Sequence, residues 1–203
     1  QRLYFTRPAL EQASNHRIAL YRAERYRCFS PLVDLGCSIG GDMLVFVQIA
    51  PVIGIDLDPL RLRMAQANLQ TVGSQCGYTL IQADLRHSLP FHAGQAPRSD
   101  DRRRNELCAL FFDPARRSDV SGERRRFFSV KDYLPPLSVI DRWLPHYPAL
   151  GVKLSPGVRL DELRTYDAEI EFISLEGELK EAVLWFGPLK LSLIHISEPT
   201  RLL

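Results

Sequence analysis

The sequence predicts an α/β chain: a doubly wound, mostly parallel sheet with a late antiparallel hairpin. Three observations carry that reading. Short apolar runs at 31–36, 51–56 and 78–82 alternate with helical patterns, the β-α-β rhythm of parallel sheets. The unbroken apolar run Leu107 to Phe112 suits a strand buried on both faces. Residues 169–175 and 181–186 alternate like an antiparallel pair joined by Glu176-Gly177-Glu178.

The elements follow in order. Residues 8–29 carry Ile18, Leu20, Tyr21 and Tyr26 at helical spacing among arginines and read as one or two helices, the remnant of an N-terminal helical region over 1–29. A first strand covers 31–36 and a helix 41–49. A second strand, 51–56, leads to a helix over 59–71, with Pro59 at a favourable first-turn position. The third strand is 78–82. Residues 86–105 are polar, carry Pro, Gly and Ser, and read as a long surface loop or disordered insertion. The strand at 107–112 is followed by a helix over 137–144, a strand over 149–154 and the hairpin. Residues 30–190 therefore form the core domain.

Both ends read as artificial. The chain opens on Gln1 inside a helical pattern, and residues 191–201 match the conceptual translation of a transposase adapter used in DNA library preparation. Residues 191–203 are therefore left out of the expected fold, as a fusion scar would be.

Composition excludes several classes. The 203 residues suffice for one α/β domain with a sizeable core. A net charge of +2 does not by itself imply nucleic acid. Cys28, Cys37, Cys76 and Cys108 lie far apart with no C-x-x-C pair, which argues against zinc or a disulfide framework and for a reducing compartment. The five histidines are scattered, so no metal cluster is expected. No apolar run approaches the roughly 18 residues of a membrane span, and no signal peptide opens the chain. A soluble cytoplasmic protein is expected.

The most informative stretch is Val33-Asp34-Leu35-Gly36-Cys37-Ser38-Ile39-Gly40-Gly41-Asp42. Gly36 lets the backbone turn out of the strand at positive φ. Gly40 and Gly41 allow a ligand close to the free amides that open the next helix. Asp34 would repel a pyrophosphate but suits the α-ammonium of an amino-acid-bearing cofactor. Asp56 ends the second strand, 22 residues after Asp34, where such folds place the acid that binds ribose hydroxyls. Leu57 could pack on an adenine face, and Asp58 is a second ribose candidate or a helix N-cap. Asp84 follows the third strand and is a candidate for the adenine amino group, or an ordinary loop aspartate. Phe112-Asp113-Pro114-Ala115-Arg116-Arg117 leaves the fourth strand at its carboxyl end. Lys153, Ser155 and Gly157 end the fifth strand and could reach a substrate. Nine arginines between Arg98 and Arg126, against six acids, could bind phosphates through Arg116, Arg117 and the 124–126 run. Phe127 and Phe128 could stack on a base or dock on the core.

The Asp34–Gly40 stretch resembles the first motif of class I S-adenosylmethionine-dependent methyltransferases, D-x-G-x-G-x-G, with Ser38 replacing the middle glycine. Asp113-Pro114 resembles the D/N-P-P-aromatic motif of relatives that methylate exocyclic amines, with Ala115 and Arg116 departing from it. Taken with Asp132-Tyr133-Leu134-Pro135-Pro136, Val152-Lys153-Leu154-Ser155-Pro156-Gly157 and Glu176-Gly177-Glu178-Leu179-Lys180-Glu181, the chain resembles bacterial methyltransferases with a THUMP-like C-terminal domain, over roughly 31–186. The resemblance implies a Rossmann-like fold and S-adenosyl-L-methionine held by Asp34, Gly36, Ser38, Gly40, Asp56, Leu57 and Asp84. It implies an acceptor positioned by Asp113 and Pro114, and an RNA substrate held by Arg116, Arg117 and Lys153. Rival readings are an inactive RNA-binding module on the same fold, and a methyltransferase of a small molecule or a protein. An NAD oxidoreductase is disfavoured by Asp34.

Overall fold

The structure is a computed structural model and describes residues 3–6, 14–91, 107–115, 117–118, 125–126, 129–191 and 194–197. It contains two compact units, Gln1–Phe111 and Phe112–Leu203.

The first unit holds α1 (His16–Tyr26), β1 (Leu32–Leu35), α2 (Met43–Phe46), β2 (Val52–Asp56), α3 (Pro59–Val72), β3 (Tyr78–Gln82) and β4 (Ala109–Phe112), whose last residue opens the second unit. The strand order is β4-β1-β2-β3, and β1/β2 and β2/β3 pair in parallel. β1 and β4 are buried at every position, as the unbroken apolar run of β4 requires; β1 buries Asp34 along with its apolar residues. α3 starts where Asp58 accepts from the amides of Leu60 (2.8 Å) and Arg61 (3.4 Å). Asp58 is thus a helix cap, one of its two expected roles. Gly73, at φ 83°, ends the helix.

Two helices depart from expectation. The sequence predicts a helix over 41–49, but α2 is a single turn. Beyond it Gln48 and Ile49 donate to the carbonyls three residues back, because the β-branched Val45, Val47 and Ile49 crowd a regular α-turn. The predicted helix over 137–144 is a 3₁₀ helix, Leu137–Arg142. Pro135 and Pro136 supply no amide donors at its start, and Val139 bonds the Pro136 carbonyl three residues back.

α1 packs its buried stripe Ile18, Ala19, Arg22, Ala23 and Tyr26 inward. Tyr26 donates its hydroxyl to the Leu110 carbonyl (3.0 Å) and packs edge-on against Phe46 and Phe111. Arg22 is fully buried. Its guanidinium pairs with Asp42, donates to Ser14 Oγ (2.8 Å) and lies 4.8 Å from the centre of the Phe111 ring. In β2, a Cβ at Gly54 would press on the side-chain ends of Met43 and Leu80, which would have to shift to admit it.

The second unit holds β5 (Arg117–Ser118), β6 (Arg125–Arg126), β7 (Leu150–Leu154), α4 (Leu160–Leu163), β8 (Glu169–Leu175), β9 (Glu178–Trp185) and β10 (Ile194–Ser197). β5 and β6 form a separate antiparallel pair with Arg117 opposite Arg126. The other four run β10-β8-β9-β7, with β9 antiparallel to both neighbours. The hairpin link is two residues rather than three, and β9 begins at Glu178. Glu176 and Gly177 both take positive φ (57° and 76°), the turn that suits strand twist. Residues 194–197, left out of the expected fold, pair in parallel with β8. Their apolar/polar alternation is enough to occupy a free edge. The chain is α/β, with a mostly parallel sheet and one late antiparallel hairpin. Most of the predicted 86–105 loop, and residues 8–13 of the N-terminal helical region, lie outside the described residues.

Replacing Arg22 with Met strands the Asp42 carboxylate in the core. The variant should lose about 3–5 kcal/mol of stability, read from its urea midpoint at unchanged m-value.

Candidate active site

The loop leaving β1 is built from alternating left-handed residues: Gly36 (φ 81°), Ser38 (φ 51°) and Gly40 (φ 83°). Gly36 and Cys37 both donate to the Ile55 carbonyl (2.8 and 3.0 Å). Gly40 donates to the Cys37 carbonyl (2.8 Å). The carboxylate of Asp56 holds the turn, since Oδ2 accepts from Ser38 N and Oδ1 from Asp58 N, each at 2.9 Å. Each carboxylate oxygen retains a lone pair, so Asp56 can still accept from hydroxyls.

Asp34 is buried within β1, so its charge acts over short distances in a medium of low polarisability. Burial pushes the Cys37 thiol well up, and the charges of Asp34 and then Asp56 push it further. Both acids therefore make the loop electronegative, which favours a cationic ligand. Gly40, already favoured by its positive φ, is also closely packed. A Cβ there would lie 3.2 Å from Ala65 Cβ of α3, whereas at Gly41 it would meet nothing within 4 Å. The close approach expected at Gly40 is therefore to α3, and Gly41 borders open space. Leu57 is 57% exposed immediately after Asp56, open to contact with a ligand.

Asp84 is engaged by its neighbour. Both carboxylate oxygens accept from Arg86 Nε (3.0 Å each), with Nη2 at 2.6 Å and the Arg86 amide at 2.9 Å. The Arg86 contacts hold its carboxyl at about 2. An adenine amino group would compete with Arg86 there.

In the second unit three short segments close on one another. Asp113 Oδ2 accepts from the buried Lys153 ammonium at 2.5 Å. Ala115 and Leu134 exchange both backbone hydrogen bonds at 3.0 Å. Tyr133, fully buried, accepts from Ser155 N at 3.1 Å through its hydroxyl. Residues 113–115, 133–134 and 153–155 thus fix each other pairwise. Lys153, expected to face substrate, is buried against Asp113 and acts through it. The departure from D-P-P has a structural cause: Ala115 uses an N–H that proline lacks. The side chain of Arg117 and the whole of Arg116, Arg124, Phe127 and Phe128 lie outside the described residues, so the expected phosphate contacts stay expectations. Sequence reasoning missed Tyr133, which carries no spacing signature; Ser155, expected to reach a substrate, gives its backbone N–H to the Tyr133 hydroxyl.

Among the described residues there is no grouping of acids, histidines and cysteines able to hold a metal, and no helix long and apolar enough to cross a membrane.

Comparison with known proteins agrees with this architecture. A solved structure from Porphyromonas gingivalis W83, described as a methyltransferase, superposes with a TM-score of 0.66 at 20% identity, covering 93% of this chain and 44% of its own. The fold is a methyltransferase fold. An rRNA methylase from Streptococcus thermophilus superposes at TM-score 0.50 and 16% identity over 90% of this chain and 98% of its own. By sequence, the chain is 34% identical over 185 residues to an uncharacterized S-adenosylmethionine-dependent methyltransferase of Mycobacterium tuberculosis, found in strains CDC 1551 and H37Rv. That match covers 89% of this chain and 45% of the mycobacterial protein, so the chain spans less than half of its relative's length. No protein-family model matches.

Three outcomes follow from the loop and the cysteines. Ser38→Gly removes a left-handed non-glycine residue and should stabilise the fold by about 1 kcal/mol, seen as a higher melting temperature. Thiol reagents at pH 8 should modify exposed Cys28 and spare Cys37 and Cys108 until unfolding. Burial raises Cys108 to about 11 from an ordinary 9.0. A raised pKa gives stability that is full below the unfolded value and lost as pH climbs through the folded one. Stability should therefore decline as pH rises from about 9 through 11.

Proposed function

We propose that this chain is the catalytic core of an S-adenosylmethionine-dependent methyltransferase acting on RNA in the cytoplasm. The observation that carries the cofactor assignment is the electronegative left-handed loop tied to Asp56, with Asp34 buried beneath it. The mycobacterial relative's name supports the same reading. Bound there, S-adenosylmethionine would supply an electrophilic methyl on a sulfonium sulfur.

The chain's residues divide the work. Asp34 offsets the charge of the α-ammonium side, Asp56 takes the ribose hydroxyls and Leu57 packs on the adenine. Asp84 meets the adenine amino group once Arg86 yields. Asp113, with Oδ2 held by Lys153, keeps Oδ1 to accept one hydrogen from the acceptor, and the Pro114 carbonyl takes another. That arrangement aims a lone pair instead of removing a proton in advance, so catalysis comes from positioning. Arg116 and Arg117 supply phosphate contacts, and these arginines, beside the likeness to an rRNA methylase, are what favours RNA.

A second reading keeps the fold as an RNA-binding module without turnover. It is favoured by the loss of the second proline and of the aromatic after Asp113-Pro114. Calorimetry with S-adenosylmethionine and S-adenosylhomocysteine, followed by transfer of a labelled methyl to a total RNA pool, separates the two. Asp34→Ala should weaken cofactor binding roughly tenfold to a hundredfold, the worth of a charge-assisted contact. Asp113→Ala should keep cofactor affinity and cut transfer by at least about a hundredfold. Cofactor binding without transfer to any RNA would favour the module; no binding by the folded chain would overturn the cofactor assignment.

A further inference from the structure

The glycine loop is braced from a side that no motif marks. Asn68 on α3 is buried, yet its amide makes three hydrogen bonds outside its own helix. Nδ2 donates to the Ile39 carbonyl (2.9 Å) and to the Tyr4 carbonyl (2.8 Å), while Oδ1 accepts from Tyr4 N (2.6 Å). One side chain therefore pairs with the extended segment 3–6 as a strand would, and at the same time grips the loop between its left-handed residues Ser38 and Gly40. The peptide joining Ile39 to Gly40 is held at both ends, its carbonyl by Asn68 and its N–H by the Cys37 carbonyl. Ala65, one turn earlier on α3, lies against Gly40.

We propose that Asn68 is a positioning residue of the cofactor loop, and that docking of the strap formed by residues 3–6 is coupled through it to cofactor binding. The inference rests on the S-adenosylmethionine assignment above. Two of the three bonds that orient the Asn68 amide come from the strap. When the strap leaves, that amide keeps one anchor and the Ile39–Gly40 peptide loses its fixed plane. A ligand that needs the loop preorganised then binds less tightly. By reciprocity, a bound ligand must hold the strap down by the same factor. The strap's Leu3, Tyr4 and Phe5 are 40%, 57% and 50% exposed, so little core packing competes with this coupling.

The test titrates S-adenosylmethionine calorimetrically into the whole 203-residue chain and into Tyr4→Pro and Asn68→Ala variants. Tyr4→Pro removes the N–H given to Asn68, together with a side chain that is 57% exposed, and changes no core residue. Both variants should bind about tenfold more weakly, the worth of one partly buried hydrogen-bond set. Without ligand, Tyr4→Pro should stay folded and melt a few degrees below the parent chain, since the buried Asn68 Oδ1 loses its donor. The readout that a merely structural contact would not move is ligand-dependent exchange at Tyr4 in the parent chain. Saturating ligand should slow hydrogen exchange at the Tyr4 amide. Affinity of folded Tyr4→Pro within about twofold of the parent, or a Tyr4 amide indifferent to ligand, overturns the coupling and leaves the cofactor assignment standing. Should Asn68→Ala fail to fold, Tyr4→Pro decides alone. A parent chain that binds no S-adenosylmethionine overturns both.

Discussion

Much of the first unit depends on one carboxylate that accepts from two backbone amides. Asp56 joins the end of β2 to the loop leaving β1, through Ser38 N, and to the start of α3, through Asp58 N. It is the acceptor for the amide of Ser38, whose left-handed conformation is unfavourable for a residue with a Cβ. The same carboxylate accepts from the amide of Asp58, the residue that caps α3. α3 then returns to the loop with Ala65 and Asn68, three residues apart and so on one face. The loop is fixed from the strand side and from the helix side by residues whose placement traces to a single acid.

The second unit solves a similar problem with a buried cation. Lys153 on β7 is almost completely buried and its ammonium bonds Asp113. An ion pair in that setting contributes little net stability, because desolvation consumes most of the attraction. Its value is geometric. Together with the Ala115–Leu134 bridge and the Tyr133–Ser155 bond it leaves residues 113–115 few ways to move. A loop of this kind resembles a strand end more than a flexible connection, which suits the presentation of one carboxylate oxygen and one carbonyl.

Much of this was legible in the sequence because strands carry strong local signals. β3 and β8 have the predicted bounds, and β1, β2 and β7 differ from them by at most two residues, since apolar runs broken by glycine and proline allow few alternatives. The short helices were less legible: whether 43–50 winds as α or 3₁₀ depends on crowding among Val45, Val47 and Ile49 that periodicity does not register. At the site, Asp34, Gly36 and Asp56 were legible through spacing, because a turn at positive φ and an acid at a strand end leave a linear trace. Arg22, Asn68 and Tyr133 leave none. Asp42 lies 20 residues from Arg22, Tyr4 64 from Asn68 and Ser155 22 from Tyr133, and an arginine or asparagine on a helix reads as surface until its neighbours are known. The partner of Lys153, Asp113, was not legible either, because a lysine's reach says nothing about which carboxylate lies within it.

The inner face of β8 carries Glu169 and Glu171, both fully buried, with Trp185 donating its indole N–H to Glu171 at 2.7 Å. A strand lined by isoleucine or valine at those positions could slide on β9 by two residues and still bury apolar groups. The carboxylates remove that freedom, since a buried acid displaced from its donor is costly. Trp185 meets Glu171 only in the observed register, and a slip by one residue would turn both glutamates toward the opposite face. β8 is in this sense indexed on β9 from within, whatever segment occupies its outer edge.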